Sequence, residues 1–199
     1  MQPHRLAHSR GALESWPLSI RIERYALLGR LREAIEIGER AIAIDRSIGQ
    51  GTILPRSHAF VAVAYRMAGD SAAARRHLAQ AEQMIDDFGK TEMRSFVAVG
   101  AAAAYVDFLD GRYLRALERI DALLAHTNRF EPLSFYSLHP QMLPLAAEAA
   151  ARAGLADKAA ALIGSIRSLL DSYTCRSRCC TTMSRFSASR MRLRSGSLW

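Results

Sequence analysis

The chain has 199 residues, half of them apolar, with 27 basic and 19 acidic side chains for a net charge of +8. That apolar share is ample for a packed core and excludes a chain that is disordered throughout. The longest uninterrupted apolar run, Phe96 to Val106, is about half the roughly twenty residues of a membrane-spanning helix and reads as a buried helix, so no membrane partner is expected.

The first fifteen residues carry His4, Arg5, His8, Arg10 and Glu14 with no apolar centre, which speaks against a secretory signal. Residues 1–12 are expected to be a flexible N-terminus. His4 and His8 stand four apart and would share a helix face as metal ligands, but no third ligand type is near, so no metal is expected.

From residue 13 a pattern begins that recurs four times: a glycine, then an alanine five residues later opening an amphipathic run, at Gly29/Ala34, Gly69/Ala74, Gly111/Ala116 and Gly154/Ala159. The glycines are 40, 42 and 43 residues apart, a period of stacked helical hairpins. The first unit pairs helices over about 13–28 and 30–45. The second runs from about Arg56 to Met67, turns at Gly69-Asp70 and resumes over Ser71 to Ile85, with Phe60, Val63, Ala64 and Met67 on one helical face and Ala74, Leu78, Ala81 and Ile85 on the next. The third and fourth follow over 93–109 with 113–126 and over 139–153 with 156–171. At each glycine the chain reverses through a left-handed residue without a Cβ penalty. The alanine must be small so that the two helices approach closely.

Between hairpins lie Arg46–Leu54, Asp86–Lys90 and Thr127–Leu138. The third of these is long and aromatic (Phe130, Phe135, Tyr136) and is expected to pack as a plug over the groove or a seam between repeats. No phosphate-binding glycine loop occurs, and Gly49-Gln50-Gly51 has no third glycine at the dinucleotide spacing, so the expectation is a linker and no cofactor. His58, His77, His126 and His139 fall at unrelated phases of separate helices and read as surface or groove residues, so no catalytic site is expected.

Past the last acidic residue, Asp171, the composition changes. Residues 172–199 hold six arginines (176, 178, 185, 190, 192 and 194), seven serines and all three cysteines, Cys175, Cys179 and Cys180. Without them residues 1–171 carry +2, so nucleic acid is not an expected partner of the repeat body. A cysteine-free body fits a reducing, cytoplasmic compartment. Three thiols fall short of the four ligands of a structural zinc. The tail reads as disordered; an arm for nucleic acid is the functional alternative, and the abrupt change where a further hairpin should start favours a truncated or frame-shifted end over an evolved arm.

Gly29-Arg-Leu-Arg-Glu-Ala34 through Ala41 to Asp45, with Tyr25 four before the glycine, resembles the tetratricopeptide repeat. Tyr65, Gly69, Asp70, Ala74, Ala81 and Ala62 repeat the match. The third unit keeps Ala104, Gly111, Tyr113 and Ala116 but has Asp107 at the aromatic position, and the fourth keeps Ala147, Gly154 and Ala159. The lengthened period is similar to the repeat region of bacterial LuxR-type regulators and signal-transduction ATPases. The resemblance implies an all-α, right-handed solenoid of about four such hairpins over residues 13–171. It also implies a non-catalytic scaffold for a protein or peptide ligand, with an ATPase or DNA-binding domain lying outside this chain.

In such arrays the first helices line the concave face. The positions that carry over are Trp16, Ser19, Glu23 and Ala26; Arg56, Ala59, Val63 and Arg66; Ala98, Ala101, Tyr105 and Phe108; and Gln141, Pro144, Glu148 and Ala151. The resemblance implies a mixed groove with Arg56 and Arg66 as a carboxylate clamp and Tyr105 and Phe108 as aromatic contacts. The competing reading is that the apolar members pack between repeats and the arginines are solvated.

Overall fold

The structure is a computed structural model that describes residues 17–47, 53–88, 93–127, 139–168 and 170–171. The N-terminal twelve residues, Trp16, the aromatic linker and the Ser/Arg/Cys-rich tail lie outside these. The described residues form α1 (17–27), α2 (Leu31–Ser47), α3 (Leu54–Met67), α4 (Ser71–Phe88), α5 (Met93–Leu109), α6 (Tyr113–Thr127), α7 (His139–Arg152) and α8 (156–168, with 170–171 also helical). They pair into four antiparallel hairpins stacked as a right-handed tetratricopeptide-like solenoid. Helix α3 starts two residues earlier than its periodicity suggests, because Pro55 fits a first helical turn, where no backbone N–H is needed.

Every hairpin turn closes in the same way. The N–H of Gly29 donates to the Ala26 carbonyl at 3.0 Å and that of Arg30 to the Tyr25 carbonyl at 2.8 Å, the paired bonds of a Schellman termination. Its central residue must be left-handed, and Gly29 has φ +73°. The same two bonds recur at Gly69, Gly111 and Gly154, each at positive φ. Five residues after each glycine, Ala34, Ala74, Ala116 and Ala159 are buried, as the small-residue requirement predicts.

Between hairpins, each first helix packs on the second helix before it (α3 on α2, α5 on α4, α7 on α6), and α3, α5 and α7 run side by side. The core is therefore a row of clusters that bridge neighbouring units. Ile22, Ile42, Phe60 and Val61 form one, Val63, Ile85, Val99 and Val106 the next, and Leu117, Ile120, Leu123, Met142 and Leu145 the third. Each such side chain contributes on the order of 1.5–3 kcal/mol by leaving water.

The first junction is the tightest. A Cβ on Gly38 of α2 would lie 2.0 Å from Cγ2 of Val61 on α3, and Val61 is itself buried. Alanine at an unconstrained helix position would gain about 1 kcal/mol over glycine, whereas overpacking costs about 1–3 kcal/mol or more. Gly38→Ala is thus expected to lower stability by about 1–2 kcal/mol, with the second change Val61→Ala recovering part of it. Denaturant midpoints decide; a more stable Gly38→Ala chain would mean that the α2–α3 seam is looser than described.

Candidate binding face

The first-helix face is far more buried than an open groove. Every residue of α3 from Pro55 to Ala64 is buried, including the carried-over Arg56, Ala59 and Val63, and so are Ser19, Ala26, Ala98 and Ala101. The small and apolar positions pack between repeats. Of the rest, Arg66, Tyr105 and Phe108, toward the glycine turns, are half-buried, and Pro144, Glu148 and Ala151 are exposed. The Gln141 side chain lies outside the described residues.

The two arginines expected as a clamp point into the protein. Arg56 meets Glu23 of α1 at 3.3 Å and its guanidinium lies 4.9 Å from the centre of the Phe60 ring. Burial pushes the Glu23 carboxyl above its usual range, and the Arg56 charge opposes that rise. Arg66 donates from Nε to Asp110 and at 2.7 Å to the Leu109 carbonyl at the end of α5, fastening one hairpin turn to the next.

Around Phe108 the turns of the third and fourth hairpins build a compact patch. The Tyr113 ring meets Phe108 edge-on with centroids 5.5 Å apart. Arg152 covers both rings, 5.0 Å from the Phe108 centroid and 5.7 Å from that of Tyr113. It pairs with Glu148 at 2.6 Å. A planar cation stacked on aromatic faces beside a carboxylate is a common element of peptide recognition. Arg152 and Tyr113 are absent from the carried-over positions, because one follows the last of these and the other opens a second helix.

Two polar clusters lie outside the carried-over groove positions. Asp107 is buried and accepts from Arg112 at 2.8 Å and from Arg119 at 2.7 Å, with Arg115 at 3.5 Å; Arg119 also reaches Glu82 of α4 at 2.9 Å. This explains why a carboxylate occupies the aromatic position of the third repeat. The second cluster corrects the expectation for the histidines. His58 is fully buried rather than on a surface or groove, and its Nδ1 lies 3.0 Å from Nδ1 of His77. Arg46 sits 3.4 Å from the other His58 nitrogen, Glu39 lies 3.2 Å from Nε2 of His77, and the Tyr65 hydroxyl donates to the same carboxylate at 3.2 Å. The two rings approach because one is on each helix of a single hairpin. Glu39 is on the far side of the His77 ring from His58, so the three do not converge on one point as metal ligands would. His126 and His139 have side chains outside the described residues, as do His4, His8 and the cysteines.

Among the described residues no helix is long and apolar enough to cross a membrane. The repeated Schellman turns, the stacked first helices and the bridged core define an array of tetratricopeptide-like helical hairpins. Among solved structures, it is similar to the crystal structure of a protein of Podosopora anserina assigned as a kinesin light chain with nearly identical TPR-like repeats: TM-score 0.57, 21% identity, over 86% of this chain and 78% of that one. A point variant of the same protein gives the same values. No protein-family model and no curated protein matches the chain.

Proposed function

We propose that the chain is a non-catalytic, cytoplasmic scaffold that binds a protein or peptide, and that it serves as the interaction segment of a bacterial signalling or transcriptional regulator whose ATPase or DNA-binding domain lies outside it. The observation that carries the binding reading is the patch at the turns of the third and fourth hairpins. Tyr105, Phe108, Tyr113 and Arg152 present aromatic and cationic surface there, with Glu148 at its rim. Arg66 borders it through Asp110, while Arg56 and Glu23 hold the first two hairpins in register behind it. Arg152 would exchange its exposed pairing with Glu148 for a ligand carboxylate, at little cost because such pairs are weak in water.

The test is selection of a random peptide library on the full chain. An enriched peptide family should lose at least about tenfold in affinity to Phe108→Ala or Arg152→Ala, the loss usual for a central interface contact, and be unmoved by Arg75→Ala on α4. Enriched peptides indifferent to Phe108 and Arg152 would refute the patch. The regulator setting is checked in the flanking DNA translated in all frames: unrelated genes on both sides would leave a stand-alone adaptor.

A further inference from the structure

Glu148 and Arg152 form a two-charge unit on α7. They meet at 2.6 Å and both side chains are about half exposed. The neighbouring charges are engaged elsewhere: Arg112 with Asp107 and Asp110, Arg115 and Arg119 with Asp107, and Lys158 with Asp121. Arg152 is positioned by the faces of Phe108 and Tyr113 as well as by the carboxylate, so it keeps its place if its partner changes. Glu148 takes its counter-charge from Arg152, and the accessible residues beside it on α7, Pro144 and Ala151, are uncharged.

A ligand carboxylate that takes the Arg152 guanidinium displaces Glu148. In open water that exchange costs little. Under a bound segment it costs more, because the segment removes the water that would otherwise solvate the released carboxylate, and a charge deprived of both partner and water is destabilising. The ligand that avoids this penalty brings a cation of its own to Glu148. Glu148 and Arg152 stand four residues apart on the helix, about 6 Å of rise, and an extended segment sets residues i and i+2 on one side about 6.5–7 Å apart.

We propose that the patch recognises an extended segment of a partner protein that carries an acidic and a basic side chain two residues apart, the acid taken by Arg152 and the base by Glu148. The inference rests on the binding reading of the patch and adds Glu148 as the residue that sets its charge selectivity. Phe108, Tyr113 and Arg152 gather at the glycine turns, whereas residues 128–138 and 172–199 join the helices at their opposite ends. The segment beyond Asp171 has six arginines and no acidic side chain, so it lacks the acid. Residues 128–138 do carry both charges, at Arg129 and Glu131, which makes them the competitor that the experiment must separate.

Three random peptide libraries are selected on the full chain, one without Lys and Arg, one without Asp and Glu, and one with all four. Peptides that lose about tenfold or more to Phe108→Ala should come from the third. Glu148→Gln should weaken them by about threefold to fivefold, the range of a partly exposed ion pair, and replacing the peptide's base by alanine should abolish that effect. Equal enrichment at the Phe108 patch from the library without bases, or tighter binding to Glu148→Gln, overturns the proposal and leaves the binding reading standing, since Glu148 would then only compete for Arg152. The absence of any Phe108-dependent peptide from all three libraries refutes both. Binding that tightens at least about tenfold in Arg129→Ser/Glu131→Ser gives the site to the chain's own segment and overturns the proposal as well.

Discussion

Replacing Asp107 by alanine should lower the stability of the array by about 2–3 kcal/mol and its melting temperature by roughly 5–10 °C. The carboxylate is almost wholly excluded from water and takes three guanidinium groups, those of Arg112, Arg115 and Arg119, all from the turn and first half of α6. Arg119 continues to Glu82 and Arg112 to Asp110, which holds Arg66, so one acid anchors ionic links from α3 through α6. Removing one partner of a buried pair costs about 3–5 kcal/mol where the other charge is stranded. Here Arg112 and Arg115 are about half exposed and rehydrate, which places the expected loss at the lower end. Asp107→Asn keeps the shape and loses the charge, and should cost about half as much. Equilibrium urea unfolding of the three chains makes the comparison, and in 1 M salt the gap should narrow because the rim of the network is screened. An alanine variant within about 0.5 kcal/mol of the parent, the ordinary scatter of surface substitutions, would mean that Asp107 fills space rather than ties the hairpins.

Asp107 also shows where sequence stops being informative. The glycine spacing carries the fold because each turn demands a left-handed residue, and four glycines at one register leave little else to build. Helix limits follow to within a few residues from the apolar period, the larger differences being the end of α4 at Phe88 rather than Ile85 and the two-residue earlier start to α3. Polar side chains have no such period. A lone aspartate at an aromatic position reads as drift until Arg112, Arg115 and Arg119 are seen to converge on it from the next helix. Arg56 and Arg66 fit a ligand clamp by position alone, yet Glu23 and Asp110 occupy their guanidinium groups. Burial of a first-helix face depends on how tightly the solenoid is wound, a property of the summed junctions and not of any one motif.

The histidines could have been found by register. Counted from the glycine, the positions of His58 and His77 are filled in the first hairpin by Leu18 and Ile37, which pack on one core cluster, and in the fourth by Leu143 and Leu162. The second hairpin puts two imidazoles where the first and fourth put aliphatic side chains and the third has Gly100 and Arg119. The arrangement satisfies both rings only when neutral: Arg46 donates to Nε2 of His58, Nδ1–H of His58 donates to Nδ1 of His77, and Nε2–H of His77 donates to Glu39, the tautomers following from these partners. A proton added to His58 faces the Arg46 charge and, across the pair, His77; one added to His77 meets Arg76 and Arg46, which Glu39 opposes. Burial first, then His77 and Arg46, bring His58 down to about 4, and burial lowers His77 as well.

The sign follows from the unfolded chain, where histidine takes its proton near pH 6.5. Between that pH and about 4 the unfolded state binds the proton and the folded state does not, so stability is full above pH 6.5 and falls as the pH drops through this window. The loss should approach about 3 kcal/mol from His58 alone by pH 4, large against a total of about 5–15 kcal/mol. Carboxylates elsewhere add their own acid dependence, so the comparison is with His58→Leu/His77→Leu, which copies the aliphatic pairing of the fourth hairpin and has no ring to charge. Urea unfolding at pH 7 and pH 4.5 should show a steeper fall for the parent than for the double variant. Parallel losses would mean that the imidazoles are charged in the folded chain, and NMR titration of the two ring Cε1–H signals would then show both moving near pH 6.5 instead of His58 resisting protonation to about 4.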